Sequence, residues 1–348
     1  MFLSIELVTI IEKLVLIVIV VMGSLVVAMY TTFAERKVAG WLQDRPGPNR
    51  AGPFGMFQPL ADGLKLFFKE EIIPNFSSKA LFVLGPALAM MTAIMTSAVI
   101  PWGDKVHFFN RDISLQIADI NIGILYVFGV VSLGVYGIMI GAWASNNKYS
   151  LMGGLRAASQ IISYELAMGI SIIALLMFTG TLSLKEMVLQ QQVGHWNIIY
   201  QPLGFLIFII CAFAECNRTP FDLAEAESEL IGGYHTEYSS MKLGFYLFAE
   251  YINMFISSAV MASLYFGGYD VPFFNEAAHA DMGNWLALIG IGAFLIKIVI
   301  FIFIFMWVRW TIPRFRYDQL MHLGWRILIP LALFNMLATG AAILYFGK

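Results

Sequence analysis

Polar residues are unevenly spread along this chain, and the long runs between them set its architecture. A helix that crosses a bilayer needs about 20 mainly apolar residues. Eight such runs are present: about Val15–Phe33, Ala80–Trp102, Ile120–Ser145, Ala157–Gly180, Ile198–Ala214, Leu243–Tyr269, Asn284–Val308 and Ile327–Phe346. The runs are too long and too uniformly apolar for strands, whose signature is short alternation. The pattern predicts an all-α integral membrane protein forming a single polytopic domain over 1–348, with eight transmembrane helices. Short amphipathic and loop helices join it on one side.

Composition narrows the class. Of 348 residues, 59% are hydrophobic and 13% charged. A soluble domain carries about 25% charged residues, so this chain cannot cover a water-facing surface. That excludes a soluble enzyme, a disordered protein and a nucleic-acid partner. The net charge of −2 implies no attraction to acidic polymers. The two cysteines, Cys211 and Cys216, lie in or beside one apolar run and form no CxxC site. The five histidines lie outside the long apolar runs, where a membrane haem would need them. No glycine-rich nucleotide motif is present. Electrons, if the chain serves redox chemistry, come from a partner.

Charge asymmetry predicts orientation. Fourteen Lys and Arg fall in the first, third, fifth and seventh loops, and five in the even loops and tails. The odd loops are therefore expected in the cytoplasm and both termini on the opposite side. Glu6 and Glu12 precede the first apolar run, so it is not expected to be a cleaved signal peptide.

The odd loops carry the chemistry. Loop one, 34–78, opens with Glu35-Arg36-Lys37, continues through the turn-rich Arg45-Pro46-Gly47-Pro48-Asn49-Arg50, and then reads as a helix over Pro59–Glu71. Leu60, Leu64, Phe67, Phe68 and Ile72 share one face, with Asp62, Lys65 and Lys69 opposite, which suits a helix lying in the membrane interface. It serves either as a headgroup anchor or as a portal for a lipid-soluble molecule. Loop five, 215–242, holds six acids within 23 residues: Glu215, Asp222, Glu225, Glu227, Glu229 and Glu237. Thr219, Pro220 and Asp222 form a helix-start pattern, predicting a helix to about Ile231 with Glu225 and Glu229 on one face. Such dense acid at the end of a span disfavours joint ionisation and points to proton handling rather than a solvated loop. Loop seven, 309–326, sets Arg309, Arg314, Arg316 and Arg326 among Trp310, Phe315 and Tyr317, opposite in sign to loop five.

Glu165, Glu250 and Lys297 each lie within an apolar run. A charge at the bilayer centre costs about 2.5–3.5 kcal/mol, so the three are either paired braces or a buried relay.

Four blocks together resemble the quinone-site membrane subunit of respiratory complex I, called the first subunit of NADH dehydrogenase in mitochondria and the H-subunit in bacteria. They are Ala34–Glu70, ending GMFQPLADGLKLFFKE; SLMGGLRAASQIISYE from Ser150; RTPFDLAEAESELIGGYHTEYSSM from Arg218; and VRWTIPRFRYDQLM from Val308. Cys216 departs from the family pattern, where Thr is expected. The resemblance implies a subunit of a proton-translocating NADH:quinone oxidoreductase that carries no redox centre itself. Its substrate is quinone, with FMN and iron–sulfur clusters on partner subunits. It implies partners in the peripheral arm that hold iron–sulfur clusters and the quinone head group, small membrane subunits, antiporter-like subunits and membrane lipid. By position, Glu35, Arg36, Trp41 and Lys65 are expected to line the quinone chamber or its entrance. Glu225, Glu227 and Glu229 are expected to couple chamber to membrane, with Arg314, Arg316 and Tyr317 packed against the loop-five acids. Glu165, Glu215 and Glu250 are expected to form the proton path, with Lys297 as a further buried charge. The location implied is an energy-transducing inner membrane, bacterial rather than mitochondrial. The alternatives are the homologous subunit of a membrane-bound hydrogenase or other donor complex, and a stand-alone ion transporter.

Overall fold

The computed structural model describes residues 2–108, 111–272 and 284–346. It is a helical bundle in which apolar length sets most elements. Helix α1 runs Phe2–Leu42, α2 Gln58–Phe68, α3 Lys79–Thr96, α4 Gly123–Ala144 and α5 Lys148–Thr179. A small hairpin, β1 Lys105–Phe108 and β2 Arg111–Ser114, fills the loop after α3; the hydropathy pattern did not predict it. Then come α6 Leu184–Val193, α7 Asn197–Tyr200, α8 Pro202–Glu215, α9 Glu227–Leu230, α10 Ser240–Tyr265, α11 Asn284–Thr311, α12 Tyr317–His322 and α13 Ile329–Phe346. A π-helical turn at Leu323–Leu328 joins the last two.

Among the described residues seven helical stretches are long and apolar enough to cross a membrane. The fifth expected span differs. It breaks at Gln201, and α8 keeps 14 residues, about 21 Å of helix. Pro202 disfavours helical backbone at the preceding residue. The Gln201 side chain spans the break, donating to Thr339 Oγ1 at 2.7 Å and accepting from Asn335 Nδ2 at 3.0 Å on α13. α1 differs in the other direction, continuing unbroken through Glu35-Arg36-Lys37 to Leu42. Those residues therefore stand on a rigid helix and not in a loop.

Outward faces are apolar: Ile10, Val18, Ile296, Ile300, Phe334 and Leu337 are all exposed. That fits a lipid surround, because a water-soluble monomer rarely shows contiguous apolar patches this extensive. Inward, α5 packs between α4, α8 and α13, and α10 between α1, α3 and α11. Small residues let backbones meet, as in membrane bundles generally. A Cβ on Gly137 would lie 2.8 Å from Ala89 N, and one on Gly141 would overlap Tyr246 Oη. Tyr246 uses that closeness to donate to the Gly137 carbonyl at 3.1 Å, and Tyr238 donates to those of Phe82 and Gly141.

Candidate functional site

Loop five is shaped by α5. Gln160 is fully buried, and its Nε2 donates to the carbonyls of Ala214 and Phe221, both at 2.7 Å. Ser150 donates to the Tyr234 carbonyl at 2.8 Å. Gly153 lets the loop approach closely, since a Cβ there would sit 2.6 Å from Tyr234 N and 2.9 Å from Ala224 O. From the other side, Phe315 N donates to the Pro220 carbonyl.

This docking overturns the expected helix from Pro220 to Ile231. Only α9 is helical. Phe221, Asp222, Leu223 and Ala224 are consecutive and all buried, which no two-faced helix permits. Asp222 spends its carboxylate on Arg314, at 2.6 Å, rather than on a helix start. Glu225 and Glu229 do not share a face: Glu225 pairs with His235 at 3.6 Å and Glu229 with Arg156 at 2.5 Å. The Glu227 side chain lies outside the described residues, as does His279.

Below the loop, residues from four elements form a buried charge cluster. Glu35 of α1 is 6% exposed and Arg218 of loop five 4%. Arg218 Nη1 donates to Glu35 Oε2 at 3.3 Å, and its Nε lies 3.0 Å from Glu250 Oε1 on α10. Tyr251 donates to Glu35 Oε2 at 2.8 Å, and its ring lies 4.2 Å under the Arg218 guanidinium. Arg309 of α11 also pairs with Glu35. Burial alone would lower the Arg218 pKa; Glu250, then Tyr251 and Glu35, more than reverse this, so the guanidinium stays charged.

Two cavities flank the cluster. One, of about 270 Å³, lies between α1, α2, α10 and α11 and is lined by Met29, Leu66, Phe248 and other apolar groups, with Glu35, Arg36, Asp62 and Arg309 among them. The other, of about 40 Å³, is lined by Glu215, Glu250, Asn253, Tyr234 and Tyr246 among others. A third of about 30 Å³ touches Glu215 and Asn253 as well. Each small void has room for about two to four water molecules, at about 10–15 Å³ apiece, between polar partners. Glu165 on α5 accepts from Ser132 of α4.

The expected residues thus divide. Glu35 and Arg36 line the larger cavity, where Arg36 pairs with Asp62 of α2 at 2.7 Å. Trp41, 70% exposed, and Lys65, also exposed, do not line it. Arg314 meets a loop-five acid, Asp222. Arg316 and Tyr317 meet none among the described residues, contrary to expectation: the Arg316 amide is bound by Gln319, and Tyr317 donates to Ser159. Arg316 sits at the N-terminal cap of α12, and Tyr317, the first residue of that helix, reaches α5 instead. Lys297 donates to the carbonyls of Phe266, Gly268 and Asp270 at 2.7, 2.8 and 2.6 Å, closing the end of α10. Sequence reasoning missed Arg218, Asp62, Tyr251 and Asn253. Arg218 is one basic residue in an acid-rich loop, and nothing local marks it as buried.

The family model described as NADH dehydrogenase matches residues 14–340. The chain is 67% identical to the NADH-quinone oxidoreductase H-subunit 1 of Cytophaga hutchinsonii, over 96% of this chain and 97% of that one. It is 68% identical to the corresponding H-subunit of Flavobacterium psychrophilum, over 97% and 98%. It is 50% identical to that of Leptospira biflexa, over 92% and 91%. A match this long and this similar is decisive, and the chain belongs to the NADH dehydrogenase family of multi-pass membrane subunits of NADH-quinone oxidoreductase.

Proposed function

We propose that this chain forms the wall and the lateral entrance of the quinone-binding chamber, and links quinone reduction to proton movement through buried acids. The observation that carries the reading is the larger cavity. It lies between three spans, α1, α10 and α11, and the interfacial helix α2, is mostly apolar along its walls, and gathers Glu35, Arg36 and Arg309. An isoprenoid tail suits the apolar wall, and the cations suit the negative charge that electrons bring to a quinone ring. The exposed apolar face of α2, with Leu60, Leu64, Phe67 and Phe68, rests in the membrane interface beside this cavity.

In this reading the proton path runs through Glu250, Glu215 and Glu165, with Asn253 and the small voids between the first two. Quinone takes two electrons and two protons to become quinol. The electrons come from NADH through FMN and iron–sulfur clusters on partner subunits. Those partners are the peripheral-arm subunits over the odd loops, with small membrane subunits and antiporter-like subunits alongside in lipid. The odd loops face the cytoplasm, both termini face the opposite side, and the membrane is the bacterial inner membrane. The relatives named above come from NADH-linked complexes, which favours that donor over a hydrogenase-type one.

The test uses the assembled complex in vesicles. Glu35→Gln and Arg36→Gln are expected to slow NADH:quinone turnover while NADH oxidation by a water-soluble acceptor is unchanged. Equal loss of both activities in fully assembled complex would overturn the chamber role.

A further inference from the structure

We infer that Arg218 is a positioning residue shared between the two cavities: its one guanidinium holds Glu35 of the larger cavity and Glu250 of the inner void, so a change of charge at one alters the hold on the other. The inference rests on the function proposed above and assigns a role to a residue outside either cavity's lining.

The geometry shows a cation that is not fully committed. Arginine presents five N–H donors in a rigid fork. Here Nη1 donates to Glu35 at 3.3 Å, a long bond. Nε meets Glu250 at 3.0 Å as an ion pair but without the alignment of a hydrogen bond, and Nη2 is buried with no hydrogen-bond partner among the described residues. A buried donor without a partner is costly, so the arrangement favours any shift that completes a set of bonds on either side. The Tyr251 ring supports the guanidinium plane at 4.2 Å and allows it to slide without losing that contact.

The two carboxylates are held unequally. Glu35 has Arg218, Arg309 and the Tyr251 hydroxyl. Among the described residues Glu250 forms an ion pair with Arg218, while Glu225, Asp222 and Glu35 add negative potential around it. Negative charge arriving in the larger cavity attracts Arg309, which lines it. Glu35 then depends more on Arg218, and Arg218 is drawn from Glu250. The reverse holds equally: a change at Glu250 alters how firmly Glu35 is held, because coupling between two sites is reciprocal. Lysine does not reproduce the fork, since its compact ammonium lacks the planar, spread donors with which arginine reaches two separated carboxylates.

The experiment compares Arg218→Lys, Glu35→Gln, Glu250→Gln and the double variant Glu35→Gln/Arg218→Lys in complex reconstituted into vesicles. Decylubiquinone is the acceptor, and assembly is verified by native gel. Arg218→Lys is expected to leave the quinone KM within about twofold, to lower kcat about tenfold, and to lower protons moved per electron, within the usual range for coupled sites. A merely structural arginine would not change the proton ratio of correctly assembled complex. The double variant is expected to lose no more than Arg218→Lys alone, because residues acting as a unit are non-additive. Normal turnover and proton ratio in Arg218→Lys, or losses that multiply in the double variant, would overturn the inference. Should Arg218→Lys fail to assemble, Arg218→Gln/Glu250→Gln removes both charges of one pair; a normal proton ratio in that variant would also overturn it. If Glu35→Gln and Glu250→Gln are both normal, the underlying function fails; if they are impaired while Arg218→Lys is normal, only the shared role of Arg218 fails.

Discussion

Arg314 holds the Asp222 carboxylate at 2.6 Å, and this pair joins loop seven to loop five. Burial, followed by repulsion from Glu225, pushes the Asp222 pKa up to about 6, although Arg314 pulls it down. A carboxyl whose pKa is raised binds its proton more tightly when the loop is docked. Docking is therefore strongest below the unfolded value of about 3.9. It weakens as pH rises toward about 6. Hydrogen exchange of the loop-five amides, corrected for intrinsic rates, should show protection falling over that interval, and Asp222→Asn should abolish the dependence.

Arg314→Gln should be the more damaging change, since it leaves Asp222 charged and buried beside Glu225. Removing one partner of a fully buried pair costs about 3–5 kcal/mol. Arg314 is 28% exposed, so water lowers the expected cost to about 1–3 kcal/mol. Loss of protection in loop five beyond that seen in Asp222→Asn is the measurement; equal effects of the two variants would count against a paired role.

Gly153→Ala is expected to lift loop five from α5. Its Cβ would press on backbone atoms of Tyr234 and Ala224, which cannot rotate away. Overpacking of this kind costs about 1–3 kcal/mol. Gly169→Ala on the same helix meets nothing within 4 Å and should be neutral or stabilising by up to about 1 kcal/mol. Steady-state abundance of the assembled complex separates the two, and a normal level for Gly153→Ala would show the loop to be loosely held.

Lys297→Met should reduce abundance without changing turnover per assembled complex. It strips three carbonyls at the end of α10 of a charged donor. Hydrogen bonds to charged groups contribute about 1.5–3 kcal/mol each, so losing the set should cost about 3 kcal/mol or more. A fall in protons moved per electron with normal abundance would instead place Lys297 in the transport path.

Glu165→Gln distinguishes a relay from a brace. Glu165 accepts from Ser132, and an amide can keep that bond. If it only braces α4 against α5, Gln should be mild. In a relay, Gln should lower proton uptake by about tenfold or more and Asp should be milder, because Asp still titrates. Proton uptake in vesicles, with assembly verified, decides; normal uptake in Glu165→Gln removes it from the path.

Hydropathy alone determined most of the scaffold. A span is a local property, so runs such as Leu243–Tyr269 and Asn284–Val308 announce themselves, and α10 and α11 follow within a few residues. The face pattern of Pro59–Glu71 likewise foretold α2. Local signals failed where a distant group outbid them. Thr219-Pro220 reads as a helix start, yet Gln160, Gly153 and Arg314 hold that backbone in a turn, because burying four consecutive side chains and bonding the loop carbonyls outweighs one turn of helix. Lys297 reads from the sequence as a buried charge without a named partner, and only the fold sets three carbonyls around it.

Partner choice among charges was beyond the reach of the chain order. Glu35 and Arg218 are 183 residues apart. No periodicity relates them, and loop seven holds several cations that would satisfy Glu35 equally well by sign. Only the packing of α1, α10 and α11 brings Glu35, Arg218, Glu250 and Arg309 together in a place where water is scarce. There each charge must find a particular opposite, since an unpaired one would not stay buried.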